Sequence, residues 1–172
     1  MADMLVKLYA LPDLHPYRTR LAEQGIEIRL AHPIELATIS SWVRTHFSER
    51  WAREAEVAIA RRPIGCYVAV ALQPHTPTAS PYELAPELLV GFACYDVVAK
   101  GLFGPTGVRE DYRGRGIGTA LLLACLDAMR TEGYAYAAIA WAGPRDFYAK
   151  TVGATVIEGS EPGVYRGTLI VE

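Results

Sequence analysis

The chain has little cysteine, no marked excess of charge of one sign and no long apolar run, and each absence narrows its class. Its three cysteines, at positions 66, 94 and 125, stand singly without a C-x-x-C spacing, which excludes a complete set of disulfides and a zinc motif. A formal net charge of −2 over 172 residues leaves no basic face for nucleic acid. No window approaches the roughly 18 apolar residues of a membrane span, and the N-terminus lacks a signal-peptide core. We therefore expect a cytoplasmic protein with no metal, no nucleic-acid partner and no membrane partner.

Apolar periodicity predicts an α/β domain of the α+β kind, with a mixed, mostly antiparallel sheet flanked by helices. Strands are predicted over residues 5–10, 26–31, 64–72, 87–98, 101–108 and 135–141, with a final pair near residue 155 and over 165–171. Helices are predicted ahead of residue 25 and over residues 33–45, 48–59, 119–131 and 144–152, and the proline-rich segment 73–86 is interpreted as a loop. The strands over 64–72, 87–98 and 101–108 are expected to form an antiparallel meander, followed by one strand–loop–helix–strand unit.

The most informative segment is the glycine-rich loop from Arg113 to Gly118, which precedes an apolar helix. A helix N-terminus carries unpaired N–H groups and partial positive charge, and glycines at 114, 116 and 118 let a ligand approach them. Arginines at 113 and 115 add charge, so the segment predicts a site for a phosphate or pyrophosphate. The alternative is a tight turn that binds nothing.

Glycine spacing separates this loop from two other phosphate-binding loops. A Walker loop ends in Gly-Lys-Ser/Thr, a triplet that the chain lacks. The dinucleotide fingerprint G-x-G-x-x-G/A fails in both registers, because its third position falls on Thr119 or on Leu121. A nucleotide-binding enzyme is therefore disfavoured.

The same stretch resembles a known family. Residues 113–118 read Arg-Gly-Arg-Gly-Ile-Gly, which matches the R-x-x-G-x-G/A signature of the GNAT superfamily of N-acetyltransferases, and the Thr-Ala-Leu-Leu that follows is typical of it. Residues 104–108 resemble the family's fourth strand. The order of elements from residue 26 onward is also similar to that of the family. Residues 1–25 are accordingly interpreted as a strand–helix extension packed on a GNAT domain of residues 26–172.

This resemblance implies a function and a set of ligand-binding residues. The protein would be an acetyl-CoA-dependent N-acetyltransferase whose central strands splay apart to admit the pantetheine arm. Main-chain groups near the end of the fourth strand would polarise the thioester carbonyl. The residues implied in cofactor binding are Val108, Arg113, Gly114, Arg115, Gly116, Ile117, Gly118 and Thr119.

A second stretch that matches the family is Asp-Phe-Tyr-Ala-Lys at residues 146–150. In the family a tyrosine in this context lies near the CoA sulfur, which implies that Tyr148 protonates the departing thiolate. A core tyrosine without a catalytic task is the alternative. Two departures from the family pattern affect this region: Trp-Ala-Gly-Pro at residues 141–144 replaces the usual asparagine, and Gly153 comes one place late.

The group that accepts the proton of the attacking amine is less clearly marked. Asp96 ends an otherwise apolar strand. A carboxylate is costly to bury there, so it either reaches water or has a functional role, and Asp96 is the first candidate for the base. His46 and Glu49 lie between two early helices that shape the acceptor site in the family, and they are weaker candidates. Aromatic candidates for the wall of an amine pocket, if they are not simply core residues, are Trp42, Trp51, Tyr95 and Trp141.

Two functions remain open at this point. The first is direct transfer of an acetyl group from acetyl-CoA to a primary amine of a small molecule, because no cysteine is paired with a histidine for a covalent intermediate. The second is a module that binds CoA without turnover. The sequence also allows a homodimer.

Overall fold

The computed structural model describes residues 1–72 and 85–169, and within them seven strands form one sheet. The strands are β1 (Met4–Lys7), β2 (Ile26–Leu30), β3 (Cys66–Ala71), β4 (Leu89–Tyr95), β5 (Leu102–Val108), β6 (Tyr136–Ile139) and β7 (Thr155–Val156). The helices are α1 (His15–Glu23), α2 (Leu36–His46), α3 (Glu49–Ala60), α4 (Ile117–Thr131) and α5 (Arg145–Val152).

The spatial order of the strands is β2-β3-β4-β5-β6-β1-β7. Every neighbouring pair is antiparallel except β5 and β6, which run parallel. The predicted mixed, mostly antiparallel sheet is therefore confirmed, and strands β3 to β5 form the expected meander. Short 3-10 turns flank several strands.

Helices cover both faces of the sheet. Along β3, Val68 and Val70 belong to the apolar cluster under α2 and α3, whereas Ala69 and Ala71 belong to the cluster under α1 and α4. This alternation is the period-2 pattern of a strand with two covered faces. The central strand β4 is consequently buried at every residue. Within residues 1–72 and 85–169, no helix is both long and apolar enough to cross a bilayer.

Two helix starts follow from local sequence. Ser48 caps α3, since its hydroxyl accepts a hydrogen bond from the Trp51 N–H at 3.2 Å. Helix α4 begins at Ile117, two residues before the predicted start, because Gly116 is its left-handed N-cap with φ 90°. The glycine-rich loop therefore ends directly in the first turn of α4.

Some predicted boundaries are corrected by the structure. The first predicted strand ends at residue 7 and continues as a 3-10 turn over 8–10, and the strand predicted over 87–98 is shortened to β4. The last predicted strand, 165–171, is wrong in its described part, since residues 163–165 form a 3-10 turn and 166–169 contain no strand. Gly163 and Gly167 adopt φ near +75°, which interrupts extended backbone there. Residues 170–172, and residues 73–84 of the predicted loop, lie outside the described part.

The N-terminal strand β1 is an interior strand of the sheet. It lies between β6 and β7, with Met4 opposite Ile139 on one side and Val156 on the other. Helix α1 packs against α4 and β2. The first residues of the chain therefore border the region where β5 and β6 meet, although the division of the chain at residue 26 stays a prediction.

Candidate active site

The loop between β5 and α4 presents a row of free backbone N–H groups. None of the six N–H groups from Gly114 to Thr119 donates a hydrogen bond within the described residues. Gly114 and Gly116 adopt left-handed backbone with φ 77° and 90°, and a Cβ on either would meet no atom within 4 Å. These glycines are therefore required by the backbone conformation and leave open space beside the helix N-terminus.

The electrostatics of this loop favour an anion. No acidic residue lies in the first turn of α4, so the positive end of the helix dipole is not neutralised there. The exposed Arg113 donates from Nε to the Val108 carbonyl at 3.2 Å, and the exposed Arg115 places Cζ 4.5 Å from the centroid of the Tyr112 ring. Free N–H groups, an open helix end and two arginines together form a site for phosphate or pyrophosphate.

A cleft opens beside this loop, where β5 and β6 separate. The two strands pair only through Leu102 with Ala138 and Phe103 with Ile139, so residues 104–108 of β5 have no strand on that side. The cleft has a volume of about 380 Å³. Its lining includes Gly118, Leu122, Phe147 and Tyr148 from the α4 and α5 layer, and Arg50 and Trp51 from α3. Because both helical layers contribute to its wall, the cleft reaches through the sheet.

The sequence model of the acetyltransferase (GNAT) family matches residues 36–154, which include the loop, the cleft strands and α5. The chain belongs to the GNAT acetyltransferase family. Membership of this family implies an acyltransferase. A search among curated proteins gives no match.

Solved structures share the GNAT fold of this chain. A fungal multi-domain GH3 β-N-acetylglucosaminidase with a GCN5-related glucosamine N-acetyltransferase region matches with TM-score 0.68, 14% identity and 91% of the chain covered. A GCN5-related N-acetyltransferase from Sphaerobacter thermophilus matches with TM-score 0.62, 22% identity and 91% coverage. The chain spans 19% of the fungal protein and 48% of the Sphaerobacter protein. These likenesses establish the GNAT fold of the chain.

Of the predicted GNAT cofactor residues, the structure brings Val108 and the whole run from Arg113 to Thr119 to one place. Val108 ends β5 and lines the cleft, as does Gly118. Ile117 contributes only its backbone, because its side chain is 1% exposed and packs in the core. The predicted binding loop is thus continuous with the cleft between the splayed GNAT strands.

Tyr148 lies at this GNAT cleft and is buried at the same time. It comes from the middle of α5, is 6% exposed, and packs edge-on against Phe103 and Phe147 with ring centroids at 6.4 and 5.2 Å. No hydrogen bond to its hydroxyl is found in residues 1–72 and 85–169. Burial alone raises the pKa of Tyr148 to about 12, so the phenol is protonated at neutral pH and can act as a donor.

Asp96 is the predicted residue that the structure does not bring to the GNAT cleft. It accepts hydrogen bonds from the Tyr134 hydroxyl at 2.8 Å and the Gly101 N–H at 2.7 Å, and Arg61 lies 3.4 Å away. Tyr134 follows the C-terminal end of α4, whose 15 residues separate this cluster from Gly116 by about 22 Å. The left-handed backbone of Asp96, with φ 58°, turns the chain out of β4 and directs the residue into this turn. Asp96 therefore lies away from the cleft, whereas strand alternation predicts that it faces the sheet centre.

Of the weaker candidates for the acceptor site, some line the GNAT cleft and the others lie elsewhere. Trp51 and Trp141 line the cleft, whereas Trp42 and His46 line a separate, larger groove beside α2. Tyr95 is a core residue whose hydroxyl donates to Glu132 at 2.6 Å. Glu49 pairs with Arg44 and with Arg53 at the start of α3, outside the cleft lining.

Two residues of the GNAT cleft were missed from the sequence. Arg50 and Tyr165 line it together with Trp141. The only local signal is the i,i+4 spacing of Arg50 and Glu54 on α3, which is common on exposed helix faces. The contact among Arg50, Trp141 and Tyr165 joins three distant segments, so it leaves no spacing pattern. No group of three or more potential metal-binding side chains occurs in the part of the chain that the structure describes.

Proposed function

We propose that this protein transfers an acetyl group from acetyl-CoA to a primary amine of a small molecule, directly and within a ternary complex. The observation that carries the proposal is the continuity between the free N–H groups of residues 114–119 and the cleft between β5 and β6. A phosphate group on the loop leaves the rest of an elongated cofactor directed along the open edge of β5. The acceptor enters from the α3 side.

The loop fits the pyrophosphate of acetyl-CoA. Its glycines leave open space where side chains would stand, and its N–H groups have no competing partner among the described residues. The free edge of β5 at residues 104–108 fits the amide-bearing pantetheine arm, because unpaired strand groups accept an added extended chain. Acetyl-CoA supplies an activated thioester carbonyl when it is bound.

The residues of the cleft support direct transfer. Attack by a neutral amine on the thioester carbonyl forms the C–N bond and releases the CoA thiolate, and the Tyr148 hydroxyl is the nearby donor for the sulfur. A covalent acyl-cysteine is disfavoured, because all three cysteines are fully buried and none lines the cleft. Burial also raises the pKa of Cys94 and Cys125 well above the ordinary thiol value, which suppresses the nucleophilic thiolate. The proton of the amine is assigned to water, since Asp96 lies outside the cleft.

Calorimetric titration of the protein with acetyl-CoA tests the first half of this proposal, with NAD and ATP as controls. We expect binding of acetyl-CoA alone. A panel of primary amines then tests turnover through the release of free CoA thiol. Binding without thiol release from any amine favours the CoA-binding module, and absence of binding by the folded protein overturns both functions.

A further inference from the structure

A single charged side chain lines the cleft among the described residues, and it comes from the acceptor side. Arg50 is the second residue of α3 and lines both the cleft and a neighbouring cavity of about 430 Å³ between α3 and the C-terminal segment. Its neighbours in the cleft are mainly aromatic and apolar. A lone guanidinium in such a wall makes the acceptor site favour a ligand with a negatively charged group.

Two aromatic rings hold this guanidinium in place. The Cζ atom of Arg50 lies 5.1 Å from the centroid of the Trp141 ring and 4.6 Å from that of Tyr165, and the two rings are themselves 4.5 Å apart. The indole N–H of Trp141 donates to the Pro162 carbonyl at 2.8 Å, which fixes the ring. Stacking on aromatic rings stabilises a guanidinium without using its N–H donors.

Among the described residues, the N–H donors of Arg50 have no well-aligned hydrogen-bond partner. None of the five makes a hydrogen bond within residues 1–72 and 85–169, and Nε is buried without a partner. The acid paired with Arg50 is Glu54, four residues along α3, whose Oε1 lies 3.4 Å from Nε outside hydrogen-bond geometry. Glu54 is 8% exposed, and burial raises its pKa despite the opposing effects of Arg50 and Tyr165. The closest contact of this ion pair is at Nε, so the terminal N–H groups of Arg50, which make no hydrogen bond among the described residues, remain available on the acceptor side of the cleft.

We propose that Arg50 binds the carboxylate of the acceptor, so that the substrate class is an amine that also carries a carboxylate, as in an amino acid. This inference rests on the proposed function and specifies its acceptor. The planar fork of a guanidinium matches the two oxygens of a carboxylate, and hydrogen bonds between such charged groups are stronger than neutral ones. A phosphate dianion would favour a second free cation. No other charged side chain of the described residues lines the cleft, and the α-ammonium of Met1, which also borders it, is paired with Glu161 Oε1 at 2.6 Å.

The test compares amino acids with their carboxamides, which have the same size and amine but no negative charge. Glycine, leucine, phenylalanine, glutamate and lysine, each with its amide, are assayed with acetyl-CoA by thiol release. We expect the best acid to exceed its amide by about tenfold or more in kcat/KM. Arg50→Gln should lower kcat/KM for that acid by roughly ten- to a hundredfold and change that for the amide by less than about threefold. Arg50→Lys should restore only part of the loss, because an ammonium group lacks the fork.

The matched control is Arg53→Gln on the same helix, since Arg53 pairs with Glu49, is well exposed and lies outside the cleft lining. It should leave the preference for acids over amides unchanged. Equal use of acids and amides by the natural protein overturns the inference. Equal loss of both substrates in Arg50→Gln also overturns it, because that result indicates a purely structural role. Preference for phosphoethanolamine over β-alanine overturns the carboxylate assignment.

A binding measurement separates this inference from the proposed function. The CoA-loaded protein is titrated calorimetrically with the same acids and amides. Binding of an acid that is lost in Arg50→Gln, without any turnover, supports the carboxylate site and overturns the transferase. Turnover of amines at a rate that does not depend on Arg50 supports the transferase and overturns the carboxylate site. Failure of every acid to bind also overturns the carboxylate site.

Discussion

The backbone N–H of Trp141 donates a hydrogen bond to Asp3 Oδ1 at 2.9 Å and so ties the end of β6 to the start of the chain. Trp141 needs this tie, because it is a non-glycine residue in left-handed backbone with φ 47°. Such a conformation costs on the order of 1–3 kcal/mol and persists only where its surroundings hold it. The contact therefore orients the ring that stacks on Arg50 at the cleft.

Asp3→Ala should lower the free energy of unfolding by about 1–3 kcal/mol, because it leaves the Trp141 N–H without its partner. It should also lower kcat/KM through the displaced ring. Urea unfolding and the acetyl-transfer assay measure the two effects. Asp3→Asn is the matched control, since its amide oxygen can still accept the bond. Equal losses in both variants would show that the charge of Asp3 matters more than this hydrogen bond.

Gly116→Val should abolish binding of acetyl-CoA while the fold persists. A valine at φ 90° is strained and would also place a side chain in the open space beside the N–H groups of the loop. Gly133→Val is a well-matched control, because Gly133 follows the other end of α4 with φ 102° and no atom within 4 Å of an added Cβ. Calorimetry measures binding, and circular dichroism measures the fold. Retained binding in Gly116→Val would place the cofactor elsewhere.

Tyr148→Phe should lower kcat by about a hundredfold, the range of a lost general acid, with little change in the Kd of acetyl-CoA. The variant keeps the aromatic packing against Phe103 and removes only the hydroxyl. Tyr136→Phe, at a half-exposed phenol on β6, controls for loss of a tyrosine hydroxyl away from the cleft. Steady-state kinetics decides the matter, and an unchanged kcat removes Tyr148 from the chemistry.

Asp96→Asn should affect stability and leave the pH dependence of acetyl transfer as it is. The carboxylate accepts from Tyr134 and Gly101 in a fully buried position, so the exchange should cost about 1–3 kcal/mol of unfolding free energy. Chemical denaturation measures the loss, and the pH–rate profile of kcat measures the catalytic effect. A flattened profile would return Asp96 to the list of proton acceptors.

Glu54→Gln should change how stability depends on pH. Burial raises the pKa of Glu54 above its ordinary value of 4.5, so the folded protein holds this proton more tightly than the unfolded chain does. The resulting stabilisation is present below about pH 4.5 and is lost as pH rises through the raised pKa. The natural protein should therefore lose stability relative to Glu54→Gln between pH 4.5 and neutrality. Urea unfolding of both proteins across that range is the measurement, and a constant difference contradicts the expectation.

Local patterns predicted the cofactor side of this site and only part of the acceptor side. The loop at residues 113–118 and Tyr148 are recognisable because each depends on neighbours in sequence, such as a helix N-terminus or an aromatic pair. Arg50 acts with Trp141 and Tyr165, and no local pattern records a contact among three distant segments. Asp96 lies outside the cleft for a related reason. Strand alternation predicted its direction, but its left-handed backbone ends that alternation.

The sequence predicts the type of sheet but not the spatial order of its strands. Apolar runs identify strands well, which is why the sequence predicts the meander from β3 to β5. Pairing between strands that are distant in sequence depends on which strand edges remain free after the other strands and helices have packed. The edge of β6 away from β5 is occupied by β1, a pairing that no local pattern in residues 4–7 records.

The interior position of β1 also sets an order of events during synthesis. Met4 leaves the ribosome long before its partners Ile139 and Val156. Strand β1 therefore stays unpaired while the intervening residues are synthesised, and an unpaired apolar strand is prone to misassociation. Sheet closure through such distant contacts is slow. The cleft wall at Trp141 is completed only when β1 meets the much later strands β6 and β7.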